Sequence, residues 1–178
     1  MSVPHRPNNL YQLAGLLAKA VAAAGLVCFL ILAAMTVLDV LMRWLFNSPI
    51  SAVGEFSGLI TAVSVAATFP IALWSKRGVA VRIFGAWFGP TGNVVLELLS
   101  HMATIGVLAV IVYQMGRFAT REAAMNSATW LLHWPTAPWW WAVTVILGIA
   151  LLVEALVTFD TIHDLRRGDQ ASNPTVSL

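Results

Sequence analysis

Seven ionisable side chains stand inside otherwise apolar sequence: Lys19, Asp39, Arg43, Glu55, Glu97, His101 and Glu154. In hydrocarbon such a group is costly and needs an opposite charge, a proton to carry or a solute to bind. They form two layers, with Asp39, Arg43 and Glu55 near one end of the apolar runs and Lys19, Glu97, His101 and Glu154 near the other. Asp39 precedes Arg43 by four residues and Glu97 precedes His101 by four, so each pair shares a helix face. Arg43 and Glu55 each lie six residues from Pro49, which predicts similar depth on antiparallel helices and a pair across the hairpin. Lys19 is placed to neutralise Glu97 or Glu154 across the bundle. Neither layer lies at mid-span, where a transporter's own ion or substrate site usually sits between broken helices. The chemistry predicted is charge pairing and partner contact, without a catalytic or substrate-binding residue.

Two sharper chemistries compete. Glu55 or Glu154 would be the proton-coupled site of a stand-alone four-helix exporter, a reading against which the empty mid-span counts. A bis-histidine haem needs two inward histidines at matched depth, and His101 and His133 fall at opposite ends of the spans. The single cysteine, Cys28, excludes an internal disulfide and a thiolate metal site. No metal or cofactor is predicted.

The elements that must hold these groups are membrane spans. Hydrophobic residues make up 59% of the chain and charged residues 10%, with mean hydropathy +0.81, whereas roughly a quarter of a soluble domain is charged. The net charge of +2 comes from basic residues scattered between spans, so nucleic acid is not a predicted partner and the bilayer is. The fold class is an all-α integral membrane protein forming one domain. Its four transmembrane helices run over about 13–41, 50–73, 93–113 and 138–159. The first run is far longer than a signal-peptide core, which predicts an uncleaved span. Asn47, Ser48 and Pro49 supply the turn into the second. Along that second span Gly54, Gly58, Ala62 and Ala66 recur every fourth residue, a small-residue ridge expected to pack within the chain or on a partner.

Between the second and third spans, SKRGVAVRIFGAWFG mixes basic and apolar residues. It predicts an interfacial amphipathic segment, with Lys76, Arg77 and Arg82 at headgroups, Trp74 and Trp87 as anchors, and an end at Gly89 and Pro90. Five of the eight tryptophans fall in TWLLHWPTAPWWW, an aromatic girdle leading into the fourth span. Four spans put both termini on one side. Seven basic residues (Arg6, Lys19, Lys76, Arg77, Arg82, Arg166 and Arg167) then share that side and three (Arg43, Arg117 and Arg121) the other, so the tails are expected to be cytoplasmic.

The first-span ending VLDVLMRWLFNSPIS with Arg43, Glu55 early in the second span, TAVSVAATFPIALWSKRGVAVRIF and the WPTAPWWW entry to the fourth span together resemble a known family. It is the small DctQ-like membrane subunit of tripartite ATP-independent periplasmic (TRAP) transporters, and the resemblance covers nearly the whole chain. The sequence departs from the pattern after the second span, where a histidine often stands and Val79 or Ala80 is found. The resemblance implies residence in a bacterial inner membrane and a sodium-coupled system for carboxylate-bearing solutes. Its partners would be a large permease carrying the substrate and sodium sites and a periplasmic solute-binding protein. The small subunit would scaffold the permease, with Arg43 and Glu55 fixing the first hairpin and Arg117, Arg121 and Glu122 as candidates for partner contact.

Overall fold

In the computed structural model, residues 9–48, 50–75, 79–129 and 133–171 are described. Pro49, Lys76, Arg77, Trp130 and the terminal residues, among them Arg6, lie outside them. The chain forms four helices: α1 (Asn9–Phe46), α2 (Ser51–Ser75), α3 (Val79–Ala124) and α4 (Ala137–Ala171). Each contains a stretch long and apolar enough to cross a bilayer: Gln12–Phe46, Val53–Ser75, Leu98–Ala124 and Ala137–Phe159. Helix is the expected outcome of such composition, because hydrocarbon offers backbone N–H and C=O groups no partner outside the segment. Hydroxyls follow the same rule. Thr36, Thr104, Thr144, Thr158 and Thr161 each donate to the carbonyl four residues earlier.

Among the described residues, α2 and α4 pack on each other at the centre, α1 lies on α2, and α3 lies on α4. The order across the row is therefore α1, α2, α4, α3, with α1 also reaching α4. Phe56 meets Trp139 near the starts of α2 and α4, and Leu73 clusters with Ala150 further along, so the two central helices run parallel. Ala66 packs with Val143 and Leu147, and Leu108 of α3 joins Leu73 and Ala150.

The two outer helices are each buried along one seam. On α1 it comprises Ala14, Ala18, Val21, Gly25, Cys28, Leu32, Met35 and Asp39, spaced alternately four and three residues apart, with Gly15 and Ala22 beside it. Everything else from Gln12 to Phe46 is exposed. On α3 the seam is His101, Ile105, Leu108, Val112, Met115, Ala119 and Glu122, again at alternating four and three. That spacing is the coiled-coil repeat, which keeps one narrow stripe against a neighbour. Both seams end in an acid.

The small-residue ridge does not stay on one face. Ala66 is buried and Ala62 half-buried, whereas Gly54 and Gly58 are exposed, with no heavy atom within 4 Å of a Cβ built on either. Four residues overshoot one helical turn by about 40°, so three such steps carry the ridge about 120° around α2. Close backbone approach occurs at Gly25 of α1. A Cβ there would stand 2.5 Å from Cβ of Ala67 and 3.2 Å from the Ser64 carbonyl oxygen. A Cβ on Gly15 would meet the Trp74 ring at 2.6 Å.

The helix expected to end at Gly89 and Pro90 continues through both as part of α3. A proline removes one backbone bond and a glycine costs about 1 kcal/mol against alanine, and in a membrane chain neighbouring groups and local adjustment absorb such losses. At 1.5 Å per residue the 46 residues of α3 reach about 69 Å, well beyond a bilayer of about 40–45 Å with its headgroups.

Ser64 is fully buried, and its hydroxyl is the one buried side-chain polar atom without a hydrogen bond among the described residues. An unpaired buried hydroxyl costs about 1–3 kcal/mol. Ser64→Ala is therefore expected to leave stability unchanged or raise it by about 1 kcal/mol in detergent unfolding. A loss above about 1 kcal/mol would mean that the hydroxyl has a partner.

Candidate functional site

Among the described residues, inward polar groups tie neighbouring segments together at three places. At the end carrying the 47–50 connection, Asp39 is 9% exposed. Its Oδ1 accepts the Ile50 N–H at 2.6 Å, and its Oδ2 accepts Arg43 Nη2 at 3.0 Å. The Ile50 carbonyl accepts the Val53 N–H at 3.0 Å, so the carboxylate sits at the N-terminus of α2, where backbone donors lack intrahelical partners and the helix dipole favours negative charge. Asn47, just past α1, has φ 50°, a left-handed conformation that asparagine tolerates better than other side-chain-bearing residues.

The second hairpin repeats this device. Glu122 Oε2 accepts the Thr136 hydroxyl at 2.8 Å, and the Thr136 carbonyl accepts the N–H groups of Trp139 and Trp140 at the start of α4. Asn126 has φ 49°, and the Ser127 N–H closes onto the Glu122 carbonyl at 3.1 Å in the pattern of a Schellman cap. In both hairpins an acid near the end of an outer helix holds the residue that begins the next inner helix. Phe118 stacks edge-on to Trp140 at 4.8 Å, and Phe56 packs edge-on to Trp134 and Trp139, tying the tryptophan-rich connection to α2 and α3.

The third lock lies at the opposite end. His101 Nδ1 stands 2.8 Å from Glu154 Oε1, and Glu154 is 3% exposed. This contact ties α3 to α4 at the start of the α3 seam.

Not every predicted grouping is assembled in this way. Arg43 pairs along its own helix with Asp39. Glu55 is half-buried on α2 and has an interaction partner. Lys19 is exposed beside the α1 seam, and Glu154 meets His101. Glu97 stands on α3 one turn before His101, and its side chain lies outside what is described. Arg117 and Arg121 are exposed, with the Arg117 guanidinium 5.8 Å from the Tyr113 ring centroid. Glu122, expected to face a partner, is turned onto Thr136. Sequence reading passed over Gly25, Ser64 and Thr136. The alternating four-and-three spacing of Ala18, Gly25 and their neighbours is the signal that could have marked the α1 seam.

Asp39→Ala removes a cap and an ion pair, and is expected to cost about 1–2 kcal/mol in unfolding titrations. Arg43→Ala is expected to cost less than about 1 kcal/mol, because the arginine side chain is 64% exposed. The reverse order would place the weight on the ion pair rather than on the Ile50 N–H.

Four helices of membrane-crossing length and composition, tied to one another through buried polar groups, define a multi-pass membrane protein. The sequence matches the family "Tripartite ATP-independent periplasmic transporters, DctQ component" over residues 32–165. The chain belongs to that family and is the small membrane component of a TRAP transporter. No curated protein and no solved structure matches it.

Proposed function

We propose that this chain is the stationary scaffold of a sodium-coupled TRAP transporter for carboxylate-bearing solutes, seated in a bacterial inner membrane with both tails cytoplasmic. In this reading it anchors the large permease, so that the permease's moving part travels against something fixed, and it offers its periplasmic end to the solute-binding protein. Substrate and sodium are handled in the permease. Glu55 helps Arg43 and Asp39 hold the first hairpin, and Gly54 and Gly58 offer a close-packing surface to a permease helix.

The observation that carries this reading is the locking of the row at both ends. Asp39, Glu122 and the His101–Glu154 pair are each occupied by another part of the same chain. A frame against which another body moves has to hold its helices in fixed register. The seven-to-three bias of basic residues supports the orientation.

The test is a mild-detergent pull-down of the chain from its native membrane, followed by mass spectrometry. Stoichiometric recovery of a large permease is the expected result. Recovery of the chain alone, still moving a solute in liposomes, would replace the scaffold reading with that of a small exporter and make Glu55 and Glu154 the residues to mutate.

A further inference from the structure

We infer that the outer face of α3 carries a binding site for one anionic phospholipid, with Arg117 and Arg121 holding its phosphodiester and Tyr113 positioning Arg117. The depth is fixed by a neighbour. Phe118 stacks on Trp140, so the residue beside it, Arg117, lies level with the first turn of α4 and the tryptophan girdle. Arg121 is one helical turn further out, about 6 Å along the axis. Indole rings collect at the headgroup level of a bilayer, which puts both guanidiniums at the depth of lipid phosphates.

The direction follows from the seam. Met115, Ala119 and Glu122 mark the side of α3 turned to α4, and Arg117 falls midway round the helix from them. It points away from the bundle, parallel to the membrane. The charge there is uncompensated by the nearest acid, because Glu122 is turned to the α4 side and accepts from Thr136. No other acidic residue stands between Glu97 and Glu122. Two guanidiniums one turn apart suit a phosphodiester, whose oxygens accept from both. A lipid whose headgroup adds an ammonium is disfavoured by the same charge.

Below the arginines the face suits an acyl chain. Tyr113, Val110, Val107, Gly106 and Ala103 are all exposed along it, and nothing lies within 4 Å of a Cβ built on Gly106. The ring of Tyr113 holds the Arg117 guanidinium by a cation–π contact at 5.8 Å, within the usual reach of about 6 Å. Apolar side chains running directly beneath the charges favour a membrane lipid over a water-soluble acidic partner approaching from above. The inference depends on the membrane placement of α3 and not on the scaffold reading.

The test uses the full chain in nanodiscs made from equal parts phosphatidylglycerol and phosphatidylcholine, with retained lipid counted by native mass spectrometry after release. The wild-type chain is expected to retain phosphatidylglycerol over phosphatidylcholine by about fivefold for each arginine engaged. Arg117→Gln with Arg121→Gln is expected to bring retention to the bulk ratio, and Arg117→Lys with Arg121→Lys to keep part of the preference. Wild-type retention at the bulk ratio overturns the inference whether or not any variant folds. So does a glutamine double variant that keeps the lipid preference while losing a co-purified protein, since the arginines would then belong to a protein interface.

Discussion

Glu154→Ala and His101→Ala are each expected to lower stability by about 3–5 kcal/mol, whereas replacing both by leucine recovers most of that loss. Glu154 is 3% exposed and its Oε1 lies 2.8 Å from His101 Nδ1, so removing either partner strands the other in low dielectric. His101→Ala is the harsher change because it leaves Glu154, the more deeply buried of the two side chains, without its hydrogen-bond partner. The double leucine variant removes both desolvation costs and leaves apolar contact between α3 and α4. Unfolding in mixed micelles checks this, and additive losses in the double variant would show that the two residues do not act as a pair. Transport separates structure from chemistry. If the pair only holds helices together, the assembled transporter carrying both leucines takes up solute at the wild-type rate; a stable variant that has lost uptake would give the pair a proton-handling role.

Gly25→Ala is expected to cost about 1–3 kcal/mol, and Gly25→Leu to separate α1 from α2. The added Cβ would stand 2.5 Å from Cβ of Ala67 and 3.2 Å from the Ser64 carbonyl, groups fixed to the backbone that cannot rotate away. Gly15→Ala meets ring atoms of Trp74 rather than backbone-fixed groups, and is expected to cost less. Gly54→Ala and Gly58→Ala provide the contrast. Nothing lies within 4 Å of either new Cβ, and alanine favours helix over glycine by up to about 1 kcal/mol, so the isolated chain is unchanged or slightly stabilised. If a permease helix packs on that surface, the same two substitutions weaken co-purification while leaving the isolated chain intact. Equal losses at Gly25 and Gly54 in the isolated chain would contradict the packing described. Unfolding titrations beside pull-down yields separate these outcomes.

The contrast between these glycines shows where the sequence was legible. GEFSG at 54–58 satisfies the GxxxG pattern, yet within this chain the close approach is made by Gly25, which belongs to no such pattern. A pattern records that a helix could be approached; which side the neighbour occupies depends on where that neighbour lies. Charge pairing was partly legible. Asp39 and Arg43 pair as four-residue spacing predicts, because helix geometry alone brings them together. The partners of Asp39 at Ile50 and of Glu154 at His101 lie 11 and 53 residues away, beyond the reach of any local rule.

By itself the sequence determined the class: four helices, their order along the chain, the turn at Asn47, the tryptophan girdle and the DctQ family. The helices, their order and the turn follow from apolar length and local backbone chemistry, which a bilayer enforces segment by segment. The family follows from the resemblance carried by the motifs around Arg43, Glu55 and WPTAPWWW. The tertiary structure alone decided the lateral order α1, α2, α4, α3, the seam face of each outer helix and the capture of each hairpin's acid by the following helix. The physical reason is that a span apolar on every side carries no hydrophobic contrast to point its buried face. In lipid that face is chosen by shape, at a glycine without a side chain or a carboxylate that must find a donor.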